Sequence, residues 1–469
     1  MSDSNYPRMN SAKKKAKKQT LLELGVIVAA ALSLHQVNAS ENFARLTEQI
    51  TSEESQQLRD LNKLKSETSR ADAKAQTVRL VKQALTYSPI IREANFAATA
   101  SGQDIAAARG ARLPQVTATA QSVNSDGEIN RASRATGKPA LTVTAQMVAY
   151  DWGRIAANIE GREYAQTGAY ARADLTKRQV VSDTLNNCLE LSKQRALVTA
   201  NVEYIDKINV IVSMLTKVTQ ADTGRRGELI QARSRLLQAE SSRDVLRSKV
   251  REVAIRIERS IGAENAGLCT GIGADFIQGL DLTGLRTQLV THPQIIISET
   301  DYQQSLKNID QVAASRKPQV LLRAEHAPVA VSVTNDYAQT ISVLVTAPLY
   351  DGNTLKSTER AALERANSAQ ERIETNLNQL DTELRERAKA ADTNFRRAEE
   401  YIGLLEINDQ VRKDFFTQWA ELGRRSLFEL LAIEAEQFTL QSGYFTALYD
   451  GMIGVANVNA SLGKLTVEE

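Results

Sequence analysis

The chain has 469 residues, with 58 Lys and Arg against 56 Asp and Glu. A net charge of +2 argues against the strong positive field of a nucleic-acid binder. Only 5% aromatic residues and 8 prolines, in a chain rich in Ala, Gln, Glu, Arg and Leu, favour long helices over a compact globule.

The N-terminus reads as a secretory signal over residues 1–39. Lys13 to Lys18 is a basic stretch, Leu21 to Leu34 a short apolar run, and Val37-Asn38-Ala39 resembles a small-residue cleavage site. The alternative is a membrane anchor, although about 14 apolar residues are few for a span. No cysteine follows the run, so a lipid-anchored mature N-terminus is not expected. Residues 40–75 are polar and read as a mobile or weakly helical extension. No later segment is apolar enough for a membrane helix, so any entry into a bilayer must be as a β-barrel.

From residue 76 the chain repeats itself, over 76–262 and again over 286–463. Leu85-Thr86-Tyr87-Ser88-Pro89 answers Leu289-Val290-Thr291-His292-Pro293, and Leu113-Pro114-Gln115-Val116 answers Lys317-Pro318-Gln319-Val320. Tyr150-Asp151-Trp152-Gly153 answers Tyr350-Asp351-Gly352, and Ser260-Ile261-Gly262 answers Ser461-Leu462-Gly463. A Gly-rich linker, 263–285, joins the halves, and 464–469 is a short tail.

Each half opens with a helical segment, Val78–Arg112 or Leu285–Arg316. Two alternating segments follow. Val116, Ala118 and Ala120, then Leu141, Val143, Ala145, Met147 and Ala149, form apolar faces. Val320, Leu322 and Ala324, then Ile341, Val343, Val345, Ala347 and Leu349, repeat the pattern. Period two over about ten residues predicts strands with one wet face, long enough to cross a bilayer when tilted. The alternative is a soluble hairpin packed on a core.

Long helices are predicted over Arg154–Asp222 and Thr354–Leu422, each roughly 100 Å long. Seams run through Ile205, Ile208, Val212 and Leu215, and through Leu377, Leu380 and Leu384. The return helices carry Leu246, Val250, Val253 and Ile257, and Ala435, Phe438, Ser442 and Phe445. Return helix plus next opening helix nearly equals one long helix, which puts the linker half-way down the columns.

Hairpin tips interrupt the long patterns at Gly224-Arg225-Arg226-Gly227-Glu228 and Gly423-Arg424-Arg425-Ser426-Leu427-Phe428-Glu429. Each Gly is expected to supply the left-handed residue of a helix C-terminal cap. Four strands cannot close a barrel, and open edges in lipid cost several kcal/mol per unsatisfied group, so at least two chains must combine.

Together these features resemble the TolC family of outer-membrane channel proteins, over about residues 76–463. The motif from Gly423 to Glu436 is most similar to the branch serving type I secretion. The resemblance implies an α+β membrane protein. Three chains with four strands each would form a homotrimeric twelve-stranded barrel in outer-membrane lipid. A coiled-coil α-helical tunnel would continue it into the periplasm. The implied partners are a periplasmic adaptor (membrane fusion protein), an inner-membrane ABC transporter and a secreted protein, such as a large adhesin. A multidrug-efflux outlet is the alternative, and a soluble periplasmic coiled-coil scaffold a third reading.

By the same resemblance, Arg425 is the tip arginine and Glu429 the first aperture acid. A second acid would fall at Ala432 and is missing or shifted to Glu434, while Glu228 is the counterpart in the first half. Three copies of Arg225, Arg226, Arg424 and Arg425 on one axis would repel unless carboxylates pair with them. Arg425 is therefore expected to pair with Glu228 or Glu429 and hold the tunnel shut. Gly224, Gly423, Ser426 and the other arginines are expected to meet an adaptor. The alternative is a solvated loop. Cys188 and Cys269, in an oxidising compartment, are either a disulfide pinning the linker to the tunnel or two buried thiols. No catalytic motif or metal spacing appears, so no enzymatic activity, cofactor or metal is expected.

Overall fold

The computed structural model describes residues 67–121, 140–262, 269, 280, 282–328, 337–420 and 426–465. The expected signal, and most of the polar extension and of the linker, lie outside them. Ala73–Glu469 forms one unit. Its elements are α1 (Glu67–Tyr87), α2 (Pro89–Gly110), β1 (Gln115–Gln121), β2 (Ala140–Tyr150), α3 (Arg154–Ala221) and α4 (Arg226–Ile261). The second set is α5 (Leu285–Leu289), α6 (Pro293–Ala314), β3 (Gln319–Pro328), β4 (Tyr337–Thr346), α7 (Thr354–Ala420) and α8 (Leu427–Ser461).

The opening helical segments are not continuous. Each breaks one residue before proline, at Ser88 (ψ 120°) and at His292 (ψ 135°). Proline has no N–H to donate and pushes its predecessor into extended backbone, so a new helix starts there. α1 also begins at Glu67, inside the segment read as an extension.

The breaks let short helices stack into full-length columns. α3 packs on α2, α4, α6 and α8, while α7 packs on α6 and α8. Arg178 Nη1 donates to the Ser461 carbonyl (2.7 Å), and Lys307 pairs with Glu160 (2.7 Å). The α8 C-terminus therefore meets the α6 N-terminus part-way along α3. In the first half Gln83 Nε2 donates to the Ile261 carbonyl (3.3 Å), and Gly262, at φ 86°, presses on the Tyr87 ring.

His292 splices the second column. Its Nδ1 accepts from the Gln294 N–H (3.1 Å), capping α6, and its Nε2 faces Ser461 Oγ (3.3 Å). Burial, with the Arg178 charge added, lowers its pKa to about 4, while Asp174 and Ser461 act in the opposite direction. The unfolded imidazole titrates near 6.5. The contribution of His292 is therefore intact above pH 6.5 and is lost as pH falls toward 4, because the unfolded chain takes the proton first. His292→Asn keeps a capping acceptor without the titration. Wild type should lose on the order of 2 kcal/mol more stability than this variant between pH 7 and 4.5. Thermal melts across that range check it, and coincident pH profiles would contradict it.

The largest core lies around Leu185, Cys188 and Leu189 of α3, Ile257 and Ile261 of α4, and Leu80, Val81 and Ala84 of α1. Cys188 and Cys269 are joined by a disulfide, which ties linker residue 269 to α3. Ile205, Ile208, Leu215, Leu384, Val253 and Ile257 are buried as the seams require. The α8 seam is different. Its buried residues include Leu430, Leu431, Tyr444, Ala447, Met452 and Val455, whereas Ala435, Phe438, Ser442 and Phe445 are only half-buried. α8 lies between α3 and α7 and buries two sides, so one stripe does not describe it.

Candidate functional site

The four strands form one antiparallel sheet in the order β1-β2-β3-β4. The central β2–β3 pair joins the two repeats, with Ala145 opposite Ala324 and Met147 opposite Leu322. Residues directly opposite one another share a face. One face therefore carries Val116, Ala118, Leu141, Val143, Ala145, Met147, Leu322, Ala324, Ile341, Val343 and Val345. The other carries Thr117, Thr119, Thr142, Thr144, Gln146, Arg323, Glu325, Thr340 and Ser342.

The apolar face is uncovered. Ile341 is 86% exposed, Val116 67% and Val343 65%. A soluble hairpin would bury such a face against a core. β1 and β4 are also edges, each with one strand neighbour in the chain. β4 stops at Thr346 rather than reaching Leu349, because Pro348 cannot continue the ladder. β2 has a bulge between Val148 and Tyr150, which turns Tyr150 toward Val320 on the apolar face.

Where strands meet helices, aromatic side chains gather. Tyr150 and Trp152 pack edge to face at 5.0 Å, and Tyr350 is exposed. Trp152 Nε1 donates to the Pro318 carbonyl (2.8 Å), and Lys317 Nζ lies 5.2 Å from the ring centroid. The Tyr-Asp motifs start the long helices. Asp151 accepts from the N–H groups of Gly153 (3.1 Å) and Ile155 (2.7 Å), and Asp351 accepts from that of Leu355 (2.7 Å). Each of these helix starts uses two consecutive left-handed residues, Trp152-Gly153 and Gly352-Asn353. Glycine takes one place in each pair because it alone has no Cβ penalty there.

At the opposite end, the two hairpin tips share one apolar cluster. It includes Ile211 and Leu215 of α3, Ala232 of α4, Trp419 of α7, and Leu427, Leu430 and Leu431 of α8. Gly224 is not a left-handed cap. It sits in a single 3-10 turn, Thr223–Arg225, where Asp222 Oδ1 accepts its N–H (2.9 Å). A Cβ there would come within 3.1 Å of that oxygen. Gly224 thus serves close approach rather than positive φ. Arg225 Nε lies 3.7 Å from Glu228 Oε1, while Arg226 begins α4. Gly423, Arg424 and Arg425 lie outside the described residues.

Ser426 and Glu429 form a capping box. Ser426 Oγ accepts from the Glu429 N–H (3.3 Å), and Glu429 Oε2 accepts from the Ser426 N–H (3.0 Å). The carboxylate expected at the aperture therefore also orders the start of α8. Glu434 is buried, 3.6 Å from Arg412 of α7, inside the bundle rather than on its open face. Arg412, Asn201, Asn408 and Gln437 are buried polar residues as well. Sequence reasoning missed the Arg412–Glu434 pair because its two residues come from different helices.

A second feature without a periodic signal is the glycine row on α8. A Cβ on Gly443 would strike the Tyr401 ring, one on Gly451 would lie 2.7 Å from the Phe395 ring, and one on Gly454 would lie 2.9 Å from the Ala391 Cβ. These glycines let α7 approach α8 closely. Among the described residues no metal-binding cluster occurs, and no helix is long and apolar enough to cross a membrane.

The described chain thus combines a four-stranded sheet, one apolar face of which is uncovered, with two long helical hairpins. Residues 80–263 match the outer membrane efflux protein family. The chain shares its fold with the outer membrane protein VceC of Vibrio cholerae, at 16% identity and TM-score 0.67, over 83% of this chain and 96% of that one. It shares it likewise with the Campylobacter jejuni CmeC outer membrane channel, at 13% identity and TM-score 0.69, over 83% and 85%. The open state of the Neisseria gonorrhoeae MtrE outer membrane channel is similar at 14% identity and TM-score 0.60, over 83% and 89%. No curated protein matches the chain. The family match thus covers the first repeat, and the fold shared with these outer membrane channels extends over both.

Proposed function

We propose that three copies of this chain form a conduit through the outer membrane and into the periplasm. The uncovered apolar sheet face with its two open edges carries this reading, because closure with other copies satisfies the edges and lipid covers the face. The exposed Ile230, Leu237, Val245 and Ile255 of α4, whose main packing partner is α3, support side-by-side assembly of the helical part. The cargo reading is type I secretion of a protein, with an ABC transporter and a periplasmic adaptor as partners. The alternative is drug or metal efflux, favoured by the match of residues 80–263 to the outer membrane efflux protein family.

Two experiments test this. Native mass spectrometry of the detergent-extracted protein should give three copies, and a monomer would contradict the conduit. Deleting the gene should then abolish export of a secreted protein. Unchanged secretion with raised sensitivity to toxic small molecules would move the assignment to efflux.

In this reading the tips, with Arg225, Arg226, Arg424, Arg425 and Ser426, meet the adaptor. Arg425 pairs with Glu228 or Glu429 and holds the tunnel closed. Arg425→Ala is expected to raise single-channel conductance in planar bilayers, and an unchanged conductance would refute the latch.

A further inference from the structure

We propose that Arg323 and Glu325 form a charged girdle inside the barrel that discriminates passing ions and solutes by charge. The proposal rests on the outer-membrane reading above. β1 to β4 contain no other Asp, Glu, Lys or Arg. Both side chains lie on the polar face, and Arg323 Nε is 3.6 Å from Glu325 Oε2. Their cross-strand neighbours are neutral. Arg323 stands between Gln146 and Ser342, and Glu325 between Thr144 and Thr340. On the helix side the next layer of the same face is apolar, formed by Val148, Leu321 and Leu344.

This arrangement has little value for stability. The side chains are 44% and 36% exposed, and a solvated ion pair contributes little to stability. Threonine, serine and glutamine would hydrate the wall equally well, as they do at the surrounding positions. What the pair adds is a field. Charge beside a low-dielectric apolar layer in a narrow channel acts on ions with little screening. Each chain supplies one pair in the same register, so every copy places its pair at the same height of the wall. Arginine and glutamate at this depth also have to face water, because the lipid face excludes them.

The test reads local charge directly and does not require the periplasmic tips to be open. The sequence has two cysteines, and both are in the disulfide, so an introduced cysteine is the only free thiol. Ser342→Cys places it opposite Arg323, and Val343→Cys places it on the apolar face. Intact cells are treated from outside with two membrane-impermeant thiol reagents, one cationic and one anionic. Ser342→Cys should react and Val343→Cys should not. Adding Glu325→Gln should shift the anionic-to-cationic rate ratio at Ser342→Cys upward by roughly threefold, and adding Arg323→Gln should shift it downward by a similar factor. A ratio unmoved by either substitution would overturn the girdle while leaving the barrel intact. Reaction of Val343→Cys with Ser342→Cys protected would overturn the barrel orientation, and the girdle with it.

Discussion

Ile341→Arg should disrupt assembly, while Thr117→Arg should be tolerated. The two residues lie on the opposite edge strands, near the middle of the sheet, but on opposite faces. Ile341 is 86% exposed and has only β3 beside it, so nothing in a single chain penalises an arginine there. In lipid the same arginine costs about 2–4 kcal/mol near the midplane, once for every copy in the barrel. Thr117 pairs with Thr144 on the polar face, where an arginine remains hydrated. The yield of heat-resistant oligomer and the urea midpoint of the vesicle-reconstituted protein measure the effect. Equal losses from both substitutions would mean that the two faces share one environment, which contradicts a membrane sheet.

Gly451→Leu has the second large effect. A Cβ at Gly451 would lie 2.7–3.1 Å from three atoms of the Phe395 ring, closer than packed carbons approach. Overpacking of this kind costs about 1–3 kcal/mol, and the added leucine branches raise it further. The gain in helix propensity over glycine, about 1 kcal/mol, does not offset it. α7 and α8 should be forced apart on the sheet side of the Arg412–Glu434 pair. Adding Phe395→Ala should restore part of the loss, since the two residues share one space. Thermal unfolding of the four proteins of this cycle checks the coupling. A strictly additive cycle would show that the glycine is not a contact position.

Most of the architecture is legible in the sequence because the chain says everything twice. Tyr-Asp before each long helix, proline before the first strand of each pair, and alternation in four segments each have a counterpart, so chance patterns can be set aside. Both long helices begin at their predicted limits, and α3 ends one residue before its own, since Gly153, Asn353 and Asp222 punctuate them clearly. What escapes depends on neighbours. Ser88-Pro89 and His292-Pro293 fall inside patterns that read as continuous helices, because apolar periodicity resumes after each break. The predicted seam on α8 is misplaced because that helix has two buried sides. Gly224 reads as a left-handed cap, yet the Asp222 side chain claims its N–H and settles it in a tighter turn. Glu434, which reads as a displaced aperture acid, is held inside by Arg412, a partner whose proximity only the folded hairpin reveals.

These strands and helices are expected to build one continuous duct. Electron microscopy of the mature protein, extracted in detergent from outer membranes, tests this most directly. A hollow threefold cylinder roughly 140 Å long is expected, combining a helical tunnel of about 100 Å with a membrane barrel. A thin rod released without detergent would contradict it, and the exposed sheet face would then need another partner.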